Sequence, residues 1–178
     1  MKYFKKLEGE RIYLSPINKD DVNIYTKWMN DSSVTDGICQ TTKLFSIDAE
    51  KEYLEKIGVN DYQFAIVEKS SDTLMGNCSI FSIDSICGHG ELGIFIGEES
   101  FRSKGYGKEV IRLLLSFCFE TLNFASVELS AISFNERAVN CYKSAGFKEV
   151  GRKRKAHYAS GSYHDIVILD ILRDEFYK

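Results

Sequence analysis

Arg102-Ser103-Lys104-Gly105-Tyr106-Gly107 is the stretch on which the reading of this chain turns. It follows the apolar run Leu92-Gly93-Ile94-Phe95-Ile96 and opens a helical stretch from Lys108 to Leu122. Glycines at i and i+2 let the backbone turn tightly and approach a ligand closely, so that several N–H groups can point at one anion. The helix that follows adds the positive end of its dipole, and Arg102, Lys104 and Lys108 add full charges. The expectation is a cradle for a pyrophosphate. A plain turn followed by a helix start accounts for the same six residues, so the neighbouring sequence has to decide.

About thirty residues downstream stands Asn135-Glu136-Arg137-Ala138-Val139-Asn140-Cys141-Tyr142-Lys143-Ser144-Ala145-Gly146-Phe147. On a helix beginning at Asn135, the residues Ala138, Tyr142 and Ala145 share one face at the three-and-four spacing. Two of those three are small, which leaves room for a slender ligand beside a single tyrosine. Asn135 is the expected N-cap, able to bond its own helix or a ligand amide, and Gly146 is expected to end the helix in the left-handed region. The competing reading is a short amphipathic helix that packs Ala138, Tyr142 and Phe147 into a core.

Taken together, the two motifs resemble the GCN5-related N-acetyltransferase (GNAT) family in content, order and separation. The match is close over roughly residues 64–150 and looser in the flanks. Gly9-Glu10-Arg11-Ile12-Tyr13-Leu14, Trp28-Met29-Asn30-Asp31 and Tyr163-His164-Asp165-Ile166-Val167-Ile168-Leu169 are similar to the branch holding ribosomal-protein N-terminal and polyamine acetyltransferases. The resemblance implies an α/β fold: one domain over residues 1–178, with a mixed, mostly antiparallel sheet of about seven strands and helices on both faces. It implies acetyl-CoA as acetyl donor, with its pyrophosphate on the backbone of Arg102, Ser103, Lys104, Gly105, Tyr106 and Gly107, and Asn135 and Ala138 as further cofactor contacts. It implies Tyr142 as the general acid that protonates the departing thiolate. In that fold the strands Glu91–Ile96 and Ser126–Ile132 diverge, and the pantetheine arm pairs with the backbone of Ile94, Phe95 and Ile96 as an added strand.

At 178 residues the chain suits one domain with a core that needs no staples. Its 44% hydrophobic and 28% charged content is that of a soluble globular protein, and no stretch approaches a membrane span. Residues Met1 to Lys6 have neither the apolar run nor the small-residue cleavage site of a signal peptide, so a cytoplasmic location is expected. Cys39, Cys78, Cys87, Cys118 and Cys141 are odd in number and lack zinc spacing; reduced thiols and no metal are expected. A net charge of −3 argues against a nucleic-acid partner and suits a cationic substrate. The basic run Arg152-Lys153-Arg154-Lys155 reads as a solvated edge strand guarding against aggregation. A monomer or homodimer is expected.

Along the chain, Arg11 to Ile17 reads as a strand, followed by a helix capped by Asn18 and carrying Val22, Ile24, Tyr25, Trp28 and Met29. Asn30 to Phe45 is polar and irregular, and Ser46 caps a second helix. Phe64 to Val67 and Leu74 to Ile83 form a hairpin about Lys69 to Asp72, which argues against a parallel mononucleotide-binding sheet. In the next strand, Leu92, Ile94 and Ile96 point one way, and Glu91, Gly93 and Phe95 the other. Gly93 in a strand interior marks a bulge or a close backbone approach.

Acetyl transfer to an amine needs a neutral nucleophile, a polarised carbonyl and a proton for the leaving thiolate. An amine of pKa near 10 must first lose a proton, and strand parity nominates Glu91 as the base, directly or through water. A backbone N–H near Ile94 to Ile96 is the candidate for polarising the carbonyl. His157 and His164 flank the Ala159 to Ser162 turn, without the third ligand a metal needs. Tyr25, Trp28, Asp31 and Asp36 suit an amine pocket, or equally a core with solvated aspartates. The acceptor stays open between a small amine or polyamine, a protein N-terminus, and an antibiotic or nucleotide sugar. A non-catalytic acyl-CoA-binding regulatory module is the remaining alternative.

Overall fold

Eight strands form one mixed sheet in the order β1-β2-β3-β4-β5-β6-β8-β7 in a computed structural model that describes residues 2–177. The strands are β1 (Leu7–Glu8), β2 (Ile12–Pro16), β3 (Tyr62–Glu68), β4 (Thr73–Asp84), β5 (His89–Ile96), β6 (Ser126–Ile132), β7 (Lys148–Ala159) and β8 (Ser162–Leu172). The helices are α1 (Val22–Met29), α2 (Ser32–Thr35), α3 (Ile47–Lys56), α4 (Tyr106–Ser116), α5 (Glu136–Ser144) and α6 (Arg173–Phe176). The β1–β2, β2–β3, β6–β8 and β7–β8 ladders are antiparallel, and β5–β6 is parallel. The strand beyond the expected seven is β1, two residues long and too short to leave a periodic signal. The chain packs as two compact units, one holding residues up to Ser79 with Ile94–Tyr106, the other Ile80–Gly93 with Gly107 onward. Strands β4 and β5 run from one unit into the other.

In the first unit β2 pairs with β3, with Tyr13 opposite Val67 and Ser15 opposite Ala65. Tyr13, Ala65 and Val67 join Tyr3, Tyr25, Trp28, Val34, Leu54 and Leu74 in one core. The expected caps are present. Asn18 accepts from the Asp20 N–H at 2.9 Å and Ser46 from the Ala49 N–H at 3.1 Å. Asn18, however, caps a 3₁₀ turn (Lys19–Asp21) that runs on into α1, so α1 itself begins four residues later. The stretch from Asn30 to Phe45 contains a short helix, α2, and a 3₁₀ turn at Asp36–Ile38. Three polar residues around a single apolar one, Val34, are too short a run to show a period, so that helix had no signature in the sequence.

In the second unit β6 alternates cleanly. Val127, Leu129 and Ala131 are buried opposite Ile171, Leu169 and Val167 of β8. Helix α4 buries Val110, Ile111, Leu114 and Leu115, and at Phe117–Thr121 the helix widens into a π turn. One extra residue in that turn brings Phe117, Cys118 and Phe119 inward consecutively, which no regular 3.6-residue period allows. The basic run falls on β7, the last strand of the sheet, where Arg152 to Lys155 are all exposed. A bulge there leaves the Lys155 N–H bonded to the Asp165 carboxylate at 2.9 Å.

Candidate active site

The parallel ladder between β5 and β6 has three registered positions: His89 with Ser126, Gly90 with Val127, and Glu91 with Glu128. Among the described residues Glu91 is the last position of that register, and strand β5 runs on through Leu92, Gly93, Ile94, Phe95 and Ile96. Ile94, Phe95 and Ile96 are only half-buried. Backbone N–H and C=O groups on a strand that has lost its neighbour are the groups an extended ligand can pair with. On the opposite edge the close backbone approach falls on Gly76 of β4, where any Cβ would strike the Phe95 carbonyl. That contact, and the bond from the Gly97 N–H to the Met75 carbonyl at 2.8 Å, hold the end of β5 in place.

The loop after β5 is shaped by its own arginine. The Arg102 guanidinium donates through Nε to the Ile96 carbonyl at 3.0 Å, through Nη2 to the Gly97 carbonyl at 2.8 Å, and through Nη1 to Ser33 Oγ at 3.1 Å. Arg102 thus fixes the path of the strand end and the turn, a bracing part the motif alone does not announce; its charge stays beside the loop. Ser103 and Gly105 both have positive φ, 59° and 83°, on either side of Lys104. Successive residues of alternating hand turn neighbouring N–H groups toward a common point, the geometry of an anion nest. Helix α4 begins at Tyr106, so the first-turn N–H groups of Gly107 and Lys108 lack helical partners.

Arg11, read in the sequence only within the Gly9 to Leu14 segment and as the start of the first strand, touches this loop. Its guanidinium lies over the Tyr106 ring at 4.5 Å, and Nη1 donates to the Lys104 carbonyl at 3.0 Å. Ninety-three residues separate the partners, and no local pattern carries such a contact. Tyr106 in turn meets Phe101 edge-to-face at 5.7 Å. Together these contacts clamp the Lys104–Gly105 peptide from outside.

In the second unit Asn135 caps α5, its side-chain oxygen accepting from the Ala138 N–H at 3.2 Å. The carboxamide N–H₂ is left over for other acceptors. Tyr142 is buried to 8% exposure, and among the described residues its hydroxyl makes no hydrogen bond. Burial pushes its pKa upward, so the phenol holds its proton at neutral pH. Cys141 lies near Gly107, and the charges of Lys108 and Arg137 bear on its thiol. The start of α4 and the first turn of α5 therefore carry two cations within electrostatic reach of one point. In the first unit the open strand end and the nest suit the amide-rich arm and the phosphates of an acyl-CoA; in the second, the cation-flanked helix start suits an anion.

Glu91 is half-buried and shares its face of β5 with Gly93 and Phe95. Its registered neighbour Glu128 places a second carboxylate beside it. The acceptor candidates divide differently from the amine-pocket reading. Trp28 and Tyr25 are core residues, with Trp28 packed edge-on to Phe95 at 5.9 Å and against Gly97. The Trp28 indole N–H donates to Glu98 at 3.1 Å, and Asp31 is the cap of α2. His157 and His164 face each other across the β7–β8 hairpin, and no group of three metal-binding side chains occurs among the described residues.

The family model for the acetyltransferase (GNAT) domain matches residues 11–148. The prophage-derived N-acetyltransferase YokL of Bacillus subtilis (strain 168) is 27% identical over 94% of this chain and 93% of its own length. The spermidine N(1)-acetyltransferase of Vibrio cholerae is 27% identical over 72% of this chain and 74% of its own. A crystal structure of the Vibrio cholerae spermidine N-acetyltransferase in complex with CoA and spermine superposes with a TM-score of 0.86 at 22% identity, covering 96% of this chain and 100% of that one. The chain belongs to the GNAT family of acetyl-CoA-dependent N-acetyltransferases.

Proposed function

We propose that this enzyme moves the acetyl group of acetyl-CoA to a primary amine of a small di- or polyamine, by direct attack in a ternary complex. The observation that carries the acid half of the reading is Tyr142, a buried phenol held protonated on a helix whose cap is Asn135. The cosubstrate supplies an activated acyl thioester whose thiolate is a good leaving group. The residues do the rest. The backbone of Ile94 to Ile96 and the loop from Arg102 to Gly107 hold and orient the donor, and an N–H of the strand end polarises the carbonyl. As the amine nitrogen bonds to the carbonyl carbon and the C–S bond breaks, the Tyr142 O–H gives its proton to sulfur. Glu91, directly or through water, takes the proton the amine must shed.

The polyamine acceptor is supported by the spermidine enzyme among the relatives and by the acidic balance of this chain, −3 at neutral pH. Tyr142→Phe keeps the ring and removes only the proton. Turnover is expected to fall about 10²-fold or more, the usual size of an acid–base contribution, with CoA affinity held. Turnover that survives intact would remove Tyr142 from the acid role.

A further inference from the structure

His89 opens β5, and its half-buried imidazole is fixed from the next strand. Nδ1 lies 3.1 Å from Ser126 Oγ, at the first registered position of the β5–β6 ladder. Gly90 and Leu92 are buried, Gly90 against Phe124 and Ile80, so His89 and Glu91 share the other face of the strand. Glu128 of β6 is registered with Glu91, and Asp170 of β8 and Lys148 of β7 continue that row. At the end of β4 the Asp84 carboxylate accepts from the Ile86 and Cys87 N–H groups, each at 2.9 Å, and lies within electrostatic reach of the imidazole. The titratable groups around His89 are therefore Asp84 from β4, Glu91 on its own strand and Glu128 from β6.

A base that takes a proton from the acceptor in each turnover has to lose it before the next. In the reading above the amine lies over the Glu91 carboxylate when that proton moves, so the way to bulk water leads along the strand. The next side chain on that face is His89, and beyond it residues 81–87, the end of β4 and its turn, are all exposed. Same-face neighbours on a strand stand roughly 7 Å apart, a gap that one water bridges. An imidazole is a stronger base than a carboxylate by about 2 pK units, so a proton passes from one to the other downhill and leaves the imidazole readily at neutral pH. The serine settles which nitrogen receives it: with Nδ1–H donated to Ser126 Oγ, Nε2 keeps its lone pair.

We propose that His89 is the relay through which Glu91 discharges its proton. The carboxylate takes the proton from the attacking amine, a water carries it to His89 Nε2, and the imidazolium releases it to solvent while Ser126 holds Nδ1–H. One proton leaves per turnover, and both side chains return to their starting states. His89 touches neither substrate and acts only through Glu91. The proposal rests on the reading of Glu91 as the base and adds the exit for its proton.

The test follows turnover of acetyl-CoA and spermidine against pH for wild type, His89→Asn, Glu91→Gln and the double variant, with and without added imidazole. His89→Asn keeps an amide donor for Ser126 and removes the relaying nitrogen. Its kcat near neutral pH should fall about tenfold or more at an unchanged KM for acetyl-CoA, and imidazole should restore most of the loss. The deficit should close as the pH nears the amine's own pKa, about 10, where no base is required. Because the two residues act in series, the double variant should be no slower than Glu91→Gln alone. An unchanged kcat in His89→Asn, a loss that is the same at every pH and with imidazole, or additive losses in the double variant would overturn the proposal. Should His89→Asn fail to fold, Ser126→Ala keeps the imidazole and frees its anchor: a lowered kcat at unchanged KM for acetyl-CoA upholds the relay, and an unchanged kcat refutes it. A slow Glu91→Gln beside a His89→Asn of wild-type rate keeps the base and refutes the relay alone. A Glu91→Gln of wild-type rate refutes the base and the relay through it, and no turnover by wild type ends both.

Discussion

The proposed reading puts the two proton transfers on different residue types in different environments, Tyr142 and Glu91. A phenol buried to 8% exposure is pushed away from ionising and suits the acid; a half-buried carboxylate at the last registered position of β5 suits the base. Glu91→Gln keeps size and hydrogen bonding and removes the acceptor of the proton. Activity near pH 7 should drop and then recover as the pH nears the amine's own pKa, about 10, where no base is required. Parallel pH–rate profiles for wild type and variant would assign that proton to water instead. The sequence nominated both residues, Tyr142 through its motif and Glu91 through strand parity, and the structure places the first buried on α5 and the second half-buried on β5.

In the proposed reading the loop between β5 and α4 holds the donor through its backbone, so its test is a change of backbone. Gly105 has φ of 83°, a left-handed conformation that costs an L side chain roughly 1–2 kcal/mol. A Cβ there would also come within 3.4 Å of the Arg11 guanidinium. Gly105→Val should weaken CoA binding at least tenfold, about 1.4 kcal/mol, by distorting the nest. Arg11→Ala releases the same peptide from the other side and should weaken CoA while leaving kcat near wild type. Calorimetry reads both, and unchanged dissociation constants in folded variants would contradict the cradle. The glycine spacing showed this element in the sequence. Its bracing by Arg102 on Ser33 and by Arg11 on Lys104 was invisible there, since each contact joins residues far apart in the chain.

At the scale of the whole molecule, periodicity and turn residues located the long strands and the helices of the candidate site, and missed what lacks a period: β1, α2 and the π turn after α4. Burial of ionisable groups also sets a pH limit on the fold. Tyr3 and the Cys118 thiol are each pushed up to about 12, and Tyr13, Tyr25, Tyr142 and Cys78 are shifted upward too, in each case chiefly by burial. Groups whose folded pKa is raised stabilise the fold fully below their unfolded values, near 9 for cysteine and 10 for tyrosine, and lose that contribution as pH climbs toward the folded values. In that window the unfolded chain binds fewer protons than the native one, so stability falls with pH. Urea midpoints should hold between pH 7 and about 8.5 and decline steadily by pH 11; a flat profile through pH 11 would show those groups exposed. The central claim, acetyl transfer from acetyl-CoA to a primary amine, is tested most directly by mixing the purified protein with acetyl-CoA and spermidine, following free thiol and weighing the amine by mass spectrometry. The account predicts spermidine-dependent thiol release matched one for one by mono-acetylated spermidine, and thiol release that is the same with and without any amine would contradict it.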